Sequence, residues 1–141
     1  MSQENVQLAR AAVAAVAQMD ASRLVELTDP EVEWHSFLAQ LGEGGVYRGH
    51  DGMRQYAADL REAWDVFEGT VEDTFAVGNV VLLWSQLRYR GKGSGIDATA
   101  PAGHVLKFRN GKVLYMRSFR DPDKAVEAVG LPEQDARADS G

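Results

Sequence analysis

The chain has 141 residues, a length suited to one folded domain, and with 45% hydrophobic and 26% charged residues it can bury a core that a disordered chain could not. Its formal net charge of -6, with the basic residues scattered, argues against a nucleic-acid partner, because an acidic surface repels a phosphate backbone. With no cysteine there is no disulfide, thiolate nucleophile or cysteine-ligated zinc, and the longest apolar stretch, residues 11–17, is too short to cross a bilayer and lacks the pattern of a secretory leader, so the expectation is a cytoplasmic protein with no membrane partner.

Val6, Ala9, Val13 and Val16 recur at helical spacing behind Ser2 or Asn5 as caps, which predicts an amphipathic helix ending near Met19. Asp20 then caps a short second helix carrying Leu24 and Leu27, with Asp29 and Pro30 as its terminators. Val32, Trp34 and Ser36 alternate with Glu33, His35 and Phe37 as a strand, which gives way to a glycine-rich loop through Gly42, Gly44 and Gly45 that is expected to border an opening. Met53, Tyr56, Ala57, Leu60, Trp64 and Phe67 follow the helical period and predict a third helix.

The pattern then changes to period two. Strands are expected over 71–77 and 80–90 around Gly78-Asn79, over 98–108 after the glycine-rich turn 91–95, and over 113–119 after the turn signal Asn110-Gly111. Asp121 and Pro122 start a short helix over 123–129, closed by Gly130. The expectation is one domain over 1–130 and a disordered tail over 131–141. Three helices around one strand, then a four-strand antiparallel meander and a short C-terminal helix, give an α+β fold.

That order, together with Asp29-Pro30-Glu31-Val32-Glu33-Trp34-His35, Val46-Tyr47-Arg48-Gly49-His50-Asp51-Gly52 and Phe108-Arg109-Asn110-Gly111-Lys112-Val113, resembles the SnoaL-like, ketosteroid-isomerase-like branch of the nuclear-transport-factor-two-like superfamily. The resemblance covers residues 4 to about 130. It implies a cone-shaped, cystatin-like fold in which a curved antiparallel sheet wraps around the three helices of the N-terminal half. It also implies a pocket for an apolar small molecule of polyketide, steroid or terpene type, and a homodimer. Relatives include isomerases, polyketide cyclases, epoxide hydrolases and noncatalytic binding domains, so the fold alone does not name a reaction.

The resemblance places the isomerase base at Ser36, its oxyanion tyrosine near Ala12 and its protonated aspartate at Gly103, and none of these side chains can do that work. Where the limonene-type epoxide hydrolases carry two carboxylates and an arginine, this chain has Ser85, Gln86, Leu87 and Arg88, with Ser118 on the last strand. Neither activity is expected.

His35 and His104 are then the candidate acid or base groups, because imidazole exchanges protons near neutral pH. The competing reading comes from strand parity with the isomerases: if Ser36 and Gly103 face the cavity, both histidines point to the outer face. Arg88 and Arg117 share that parity and are candidate anion contacts, although strand arginines more often pair with carboxylates. The set expected around the cavity comprises Trp34, Ser36, Tyr56, Trp64, Leu83, Ser85, Leu87, Tyr89, Val105, Met116 and Ser118, most of which also suit a plain core. His50 reads as a helix-start residue, no spacing of His, Asp and Glu suggests a metal, and no cofactor is implied. Three functions stay open: an acid–base enzyme, a noncatalytic carrier or sensor, and a homodimeric interaction module.

Overall fold

The computed structural model describes residues 2–36 and 45–128. The loop glycines Gly42 and Gly44, the strand's last residue Phe37, the helix-closing Gly130 and the tail over 131–141 lie outside the described residues. Along the chain come α1 (Ser2–Gln18), α2 (Ala21–Leu27), β1 (Thr28–His35), β2 (Val46–Arg48), α3 (Gly49–Ala63), β3 (Trp64–Val77), β4 (Val80–Gly91), β5 (Asp97–Arg109), β6 (Lys112–Phe119) and α4 (Pro122–Ala128). The strands form one sheet in the order β2-β1-β6-β5-β4-β3. Neighbours run antiparallel except β1 and β6, which are parallel and bring the N-terminal strand beside the last strand of the meander.

The joint between α1 and α2 is built from two local signals. Met19 takes a left-handed conformation, φ 53, that ends the first helix. Asp20 then caps the second by accepting from the Arg23 N–H at 3.1 Å. Packing occupies both sides of the sheet. α1 lies across β3 and β4 on the inner face, α3 packs on β1 and α2, and α4 covers β5 on the outer face. The inner core therefore contains Leu24, Val32, Met53, Leu60 and Leu106, while a second cluster of Leu82, Trp84, Val105, Ala125 and Val126 lies under α4.

Three expectations shift. Asp29 and Pro30 do terminate α2, yet they belong to β1, which starts at Thr28. Proline is tolerated there because the β1–β6 register slips between Thr28 and Glu33, where a ladder donor is not required. The third helix stops at Ala63, and Trp64 and Phe67 begin β3. A register shift between Trp64 and Val66 lets both aromatics face inward from a strand, and this odd spacing imitates a helical repeat. Finally, β2 adds a short strand that the sequence pattern did not announce.

One latch ties the start of β1 to the end of β5. Arg109 grips Asp29 with two hydrogen bonds, Nε to Oδ2 at 3.2 Å and Nη2 to Oδ1 at 2.8 Å, and also bonds Glu31. The Arg109 hydrogen bond and the Glu31 N–H together hold the Asp29 carboxyl below its ordinary 3.8. A carboxylate with a lowered folded pKa contributes stability that is complete above 3.8 and disappears as pH falls through the folded value. Asp29→Asn is therefore expected to lower the urea midpoint at neutral pH and to flatten its fall below about pH 4. Urea titrations of parent and variant through the acid range measure both effects; parallel curves would remove the latch from the account.

Candidate functional site

The inner face of the meander places three polar side chains in one row. His104 of β5 lies opposite Leu83 of β4 and opposite Ser118 of β6, with Ser85 two residues beyond Leu83. Its Nε2 is 2.9 Å from Ser85 Oγ and its Nδ1 is 2.9 Å from Ser118 Oγ, so both ring nitrogens are engaged. Ser118 Oγ also donates to Met116 Sδ at 3.4 Å. A neutral imidazole donates from one ring nitrogen and accepts at the other, and a hydroxyl can do either, so the two serines satisfy both nitrogens at once. Burial pushes the His104 imidazole down to about 4, so the ring is neutral at physiological pH.

His104 and Ser118 of this row form part of one wall of a small cavity that opens to solvent. Ala12, Val13 and Val16 of α1 lie along one side, and Trp34 of β1 with Tyr56 of α3 along another. The sheet supplies Phe67 and Gly69 from β3, Leu87 from β4, His104 and Leu106 from β5, and Met116 and Ser118 from β6. Among these described residues none carries a formal charge. Tyr56 is the second polar group: burial pushes its phenol up to about 12, against a hydrogen bond with Ser36 that lowers it. The Tyr56 ring also packs tilted against Trp34, centroids 5.6 Å apart, and against Tyr47, which donates to Asp59 at 2.6 Å.

The orientation of β5 corrects the parity reading. His104 faces the cavity, and Gly103 faces α4, where an added Cβ would come within 2.8 Å of the Ala125 Cβ. Val105, expected in the cavity, likewise turns outward into the cluster under α4, and Leu106 occupies the inner position. The outward reading took Gly103 as the inward position from the resemblance, and because Ala102 to Leu106 is buried apart from His104 itself, alternation of polarity offers no phase to correct it.

His35 does follow the outward reading. Its Nε2 is 2.7 Å from Glu33 Oε1, and its ring packs tilted against Tyr115, centroids 5.3 Å apart, on the outer face. The outer patch expected to join His35, His104, Arg88 and Arg117 thus lacks His104. Arg88 lies within 3.9 Å of Asp97, and the Arg117 guanidinium sits 5.0 Å over the Phe119 ring, so neither arginine reaches the cavity.

Of the remaining residues expected around the cavity, Trp34, Tyr56, Leu87, Met116 and Ser118 line it. Ser36, Trp64, Leu83 and Ser85 are buried beside or behind that wall, and Tyr89 packs edge-on against Trp64 with centroids 5.7 Å apart. The α1 wall went unassigned because its valines read as ordinary core, although the resemblance did point to Ala12. Phe67 and Gly69 were hidden by the helical reading of Trp64 and Phe67, and an isolated glycine inside a strand was the available signal. Among the described residues, no group of three His, Cys, Asp or Glu side chains could hold a metal ion.

The SnoaL-like domain family matches residues 9–116, most of the described chain. The protein belongs to that family. No curated protein matches the sequence. Among solved structures, this SnoaL-like chain is similar to an NTF2-like protein of unknown function from Burkholderia pseudomallei, with TM-score 0.72 and 21% identity over 88% of this chain and 95% of that one. It is similar to TerC co-crystallised with polyporic acid, with TM-score 0.71 and 21% identity over 90% of this chain and 98% of the other. An LEH-like epoxide hydrolase of M. tuberculosis aligns with TM-score 0.70 and 13% identity over 89% of each chain. At these identities the likeness establishes the SnoaL-like fold and not a shared reaction.

A neutral, doubly bonded imidazole has a direct spectroscopic test. The folded-state value of about 4 lies below the ordinary 6.5, so the unfolded chain binds the proton first and stability falls as pH drops from 6.5 towards 4. Nitrogen NMR of the labelled protein is expected to show a ring protonated at a single nitrogen and untitrated near pH 6.5, a signal missing from His104→Gln. A ring titrating near 6.5 and assigned to His104 would refute the neutral state.

Proposed function

We propose that the cavity binds an uncharged, mainly apolar small molecule of the polyketide, steroid or terpene class, with the neutral His104–Ser118 pair as its polar contact. The observation that carries this reading is a cavity lined by Val13, Phe67, Leu87 and Leu106 in which the polar groups, His104, Ser118 and Tyr56, are all uncharged. An ionised ligand entering there would lose its hydration without gaining a counter-charge, whereas an apolar one gains from burial. Similarity to a protein co-crystallised with polyporic acid supports small-molecule binding in this fold.

A second reading, acid–base catalysis, has its own observation: Ser85, His104 and Ser118 form a continuous hydrogen-bonded chain. In that reading His104 moves a proton after a ligand oxygen replaces one serine partner, which suits an isomerase, cyclase or lyase acting on a carbonyl compound. A homodimer and a cytoplasmic location belong to the same proposal and place no demand on the cavity, because His35, Tyr115 and Arg117 stand on the other face of the sheet.

Naphthol and naphthoate, one skeleton in neutral and charged form, test the binding reading. Naphthol is expected to raise the melting temperature in a saturable way, and naphthoate to bind at least about tenfold more weakly. His104→Ala should weaken naphthol binding, while His35→Ala should leave it unchanged. If neither compound saturates, the protein is better read as an interaction module; if naphthoate binds as well as naphthol, the uncharged-site argument fails.

A further inference from the structure

Gly69 occupies the inner face of β3, between Phe67 and Val71, on the stretch of edge strand that α1 crosses. A glycine inside a strand weakens it, so its presence calls for a local reason. The usual reasons are missing. Its φ lies outside the left-handed range, and the bulges of β3 fall between Trp64 and Val66 and between Val71 and Asp73, on either side of it. Nor does a neighbour press on it. An added Cβ would lie 3.5 Å from Val13 Cγ1, 3.6 Å from Ser85 Oγ and 3.8 Å from Ser85 Cβ, all ordinary van der Waals contacts.

What the absent side chain leaves open is the cavity itself. Gly69 is a lining residue, and the hydroxyl nearest to its missing Cβ is the one bonded to His104 Nε2 at 2.9 Å. We propose that Gly69 is a specificity-determining position, which sets how bulky a ligand can be where it lies between Val13 and the Ser85–His104 pair. The inference rests on the cavity being a ligand site. A methyl group at this position takes space from the ligand without disturbing the fold, and one methyl of misfit in a close-fitting apolar site changes affinity roughly tenfold or more.

The test uses phenol, naphthol and phenanthrol, a series with one hydroxyl and growing ring area, titrated by tryptophan fluorescence against the parent, Gly69→Ala and the double variant Gly69→Ala/Val13→Ala. The parent arm addresses the ligand site: if the parent binds none of the three, that reading falls and this inference falls with it. Where the parent binds, Gly69→Ala is expected to melt at the same or a higher temperature, to keep phenol, and to lose about tenfold or more for the largest member that the parent accepts. Trimming Val13, whose Cγ1 is the nearest neighbour of the added methyl, should restore part of that loss. Equal affinities for all compounds in parent and Gly69→Ala, or a variant whose melting temperature falls with uniform loss of binding, would overturn the inference while leaving the ligand site standing.

Discussion

The imidazole of His104 is held between two hydroxyls supplied by the strands on either side of its own, and this arrangement governs the interior of the cone. Each ring nitrogen has a partner at 2.9 Å, so the neutral ring meets its hydrogen-bonding needs without water. Protonation would leave a charge facing valine, leucine and phenylalanine side chains with no carboxylate among the described lining residues, which is why burial drives its pKa down. An uncharged sheet face in turn allows α1 to present only Ala12, Val13 and Val16 to the cavity. A carboxylate at the same place would need its own donors and a wetter site.

The same row depends on the phase of β5, which is set from outside the cavity. α4 packs against the far side of β5, where Val105 joins Leu82 and Trp84, and Gly103 leaves room for Ala125 and Pro122. If β5 slipped by one residue, Val105 would enter the cavity and His104 would be pushed under α4 among apolar side chains. The short C-terminal helix therefore takes part in orienting the site although it contributes no lining residue.

Much of this was legible in the sequence wherever one signal dominated. The helical stripe through Met53, Tyr56, Ala57 and Leu60, the Gly78 and Asn110-Gly111 turns and the cap at Asp20 all lead directly to the observed elements, and the motif order places the family. Legibility failed where two patterns coincide. A bulge gives Trp64 and Phe67 a helix-like spacing inside a strand, and burial on both faces around Ala102 and Val105 erases the alternation that would have turned His104 inward. The outer position of His35 was legible from the resemblance, which turned its neighbour Ser36 inward. Pairing of β1 with β6 was not, since a parallel contact between strands distant in sequence has no turn to announce it.

The distribution of packing explains how the fold can keep a cavity at all. Burial is complete at Leu24, Val32, Met53, Leu60 and Val113 and also at the lining residues Ala12 and Leu106, while Arg109 clasps Asp29 at the end of β5. Removing methylenes there would open voids in close-packed surroundings, the costly kind of core change. Val13, Val16 and Gly69, by contrast, border space that is already empty, so their atoms have fewer partners to lose. Lining and core thus share residues such as Leu106 and Tyr56, and besides His104 only the partly exposed positions Val13, Val16 and Gly69 border the cavity without being buried. Those few positions can change shape while the shared core, the latch and α4 keep the strands in register, which gives a physical reason why one architecture can host unrelated ligands and reactions.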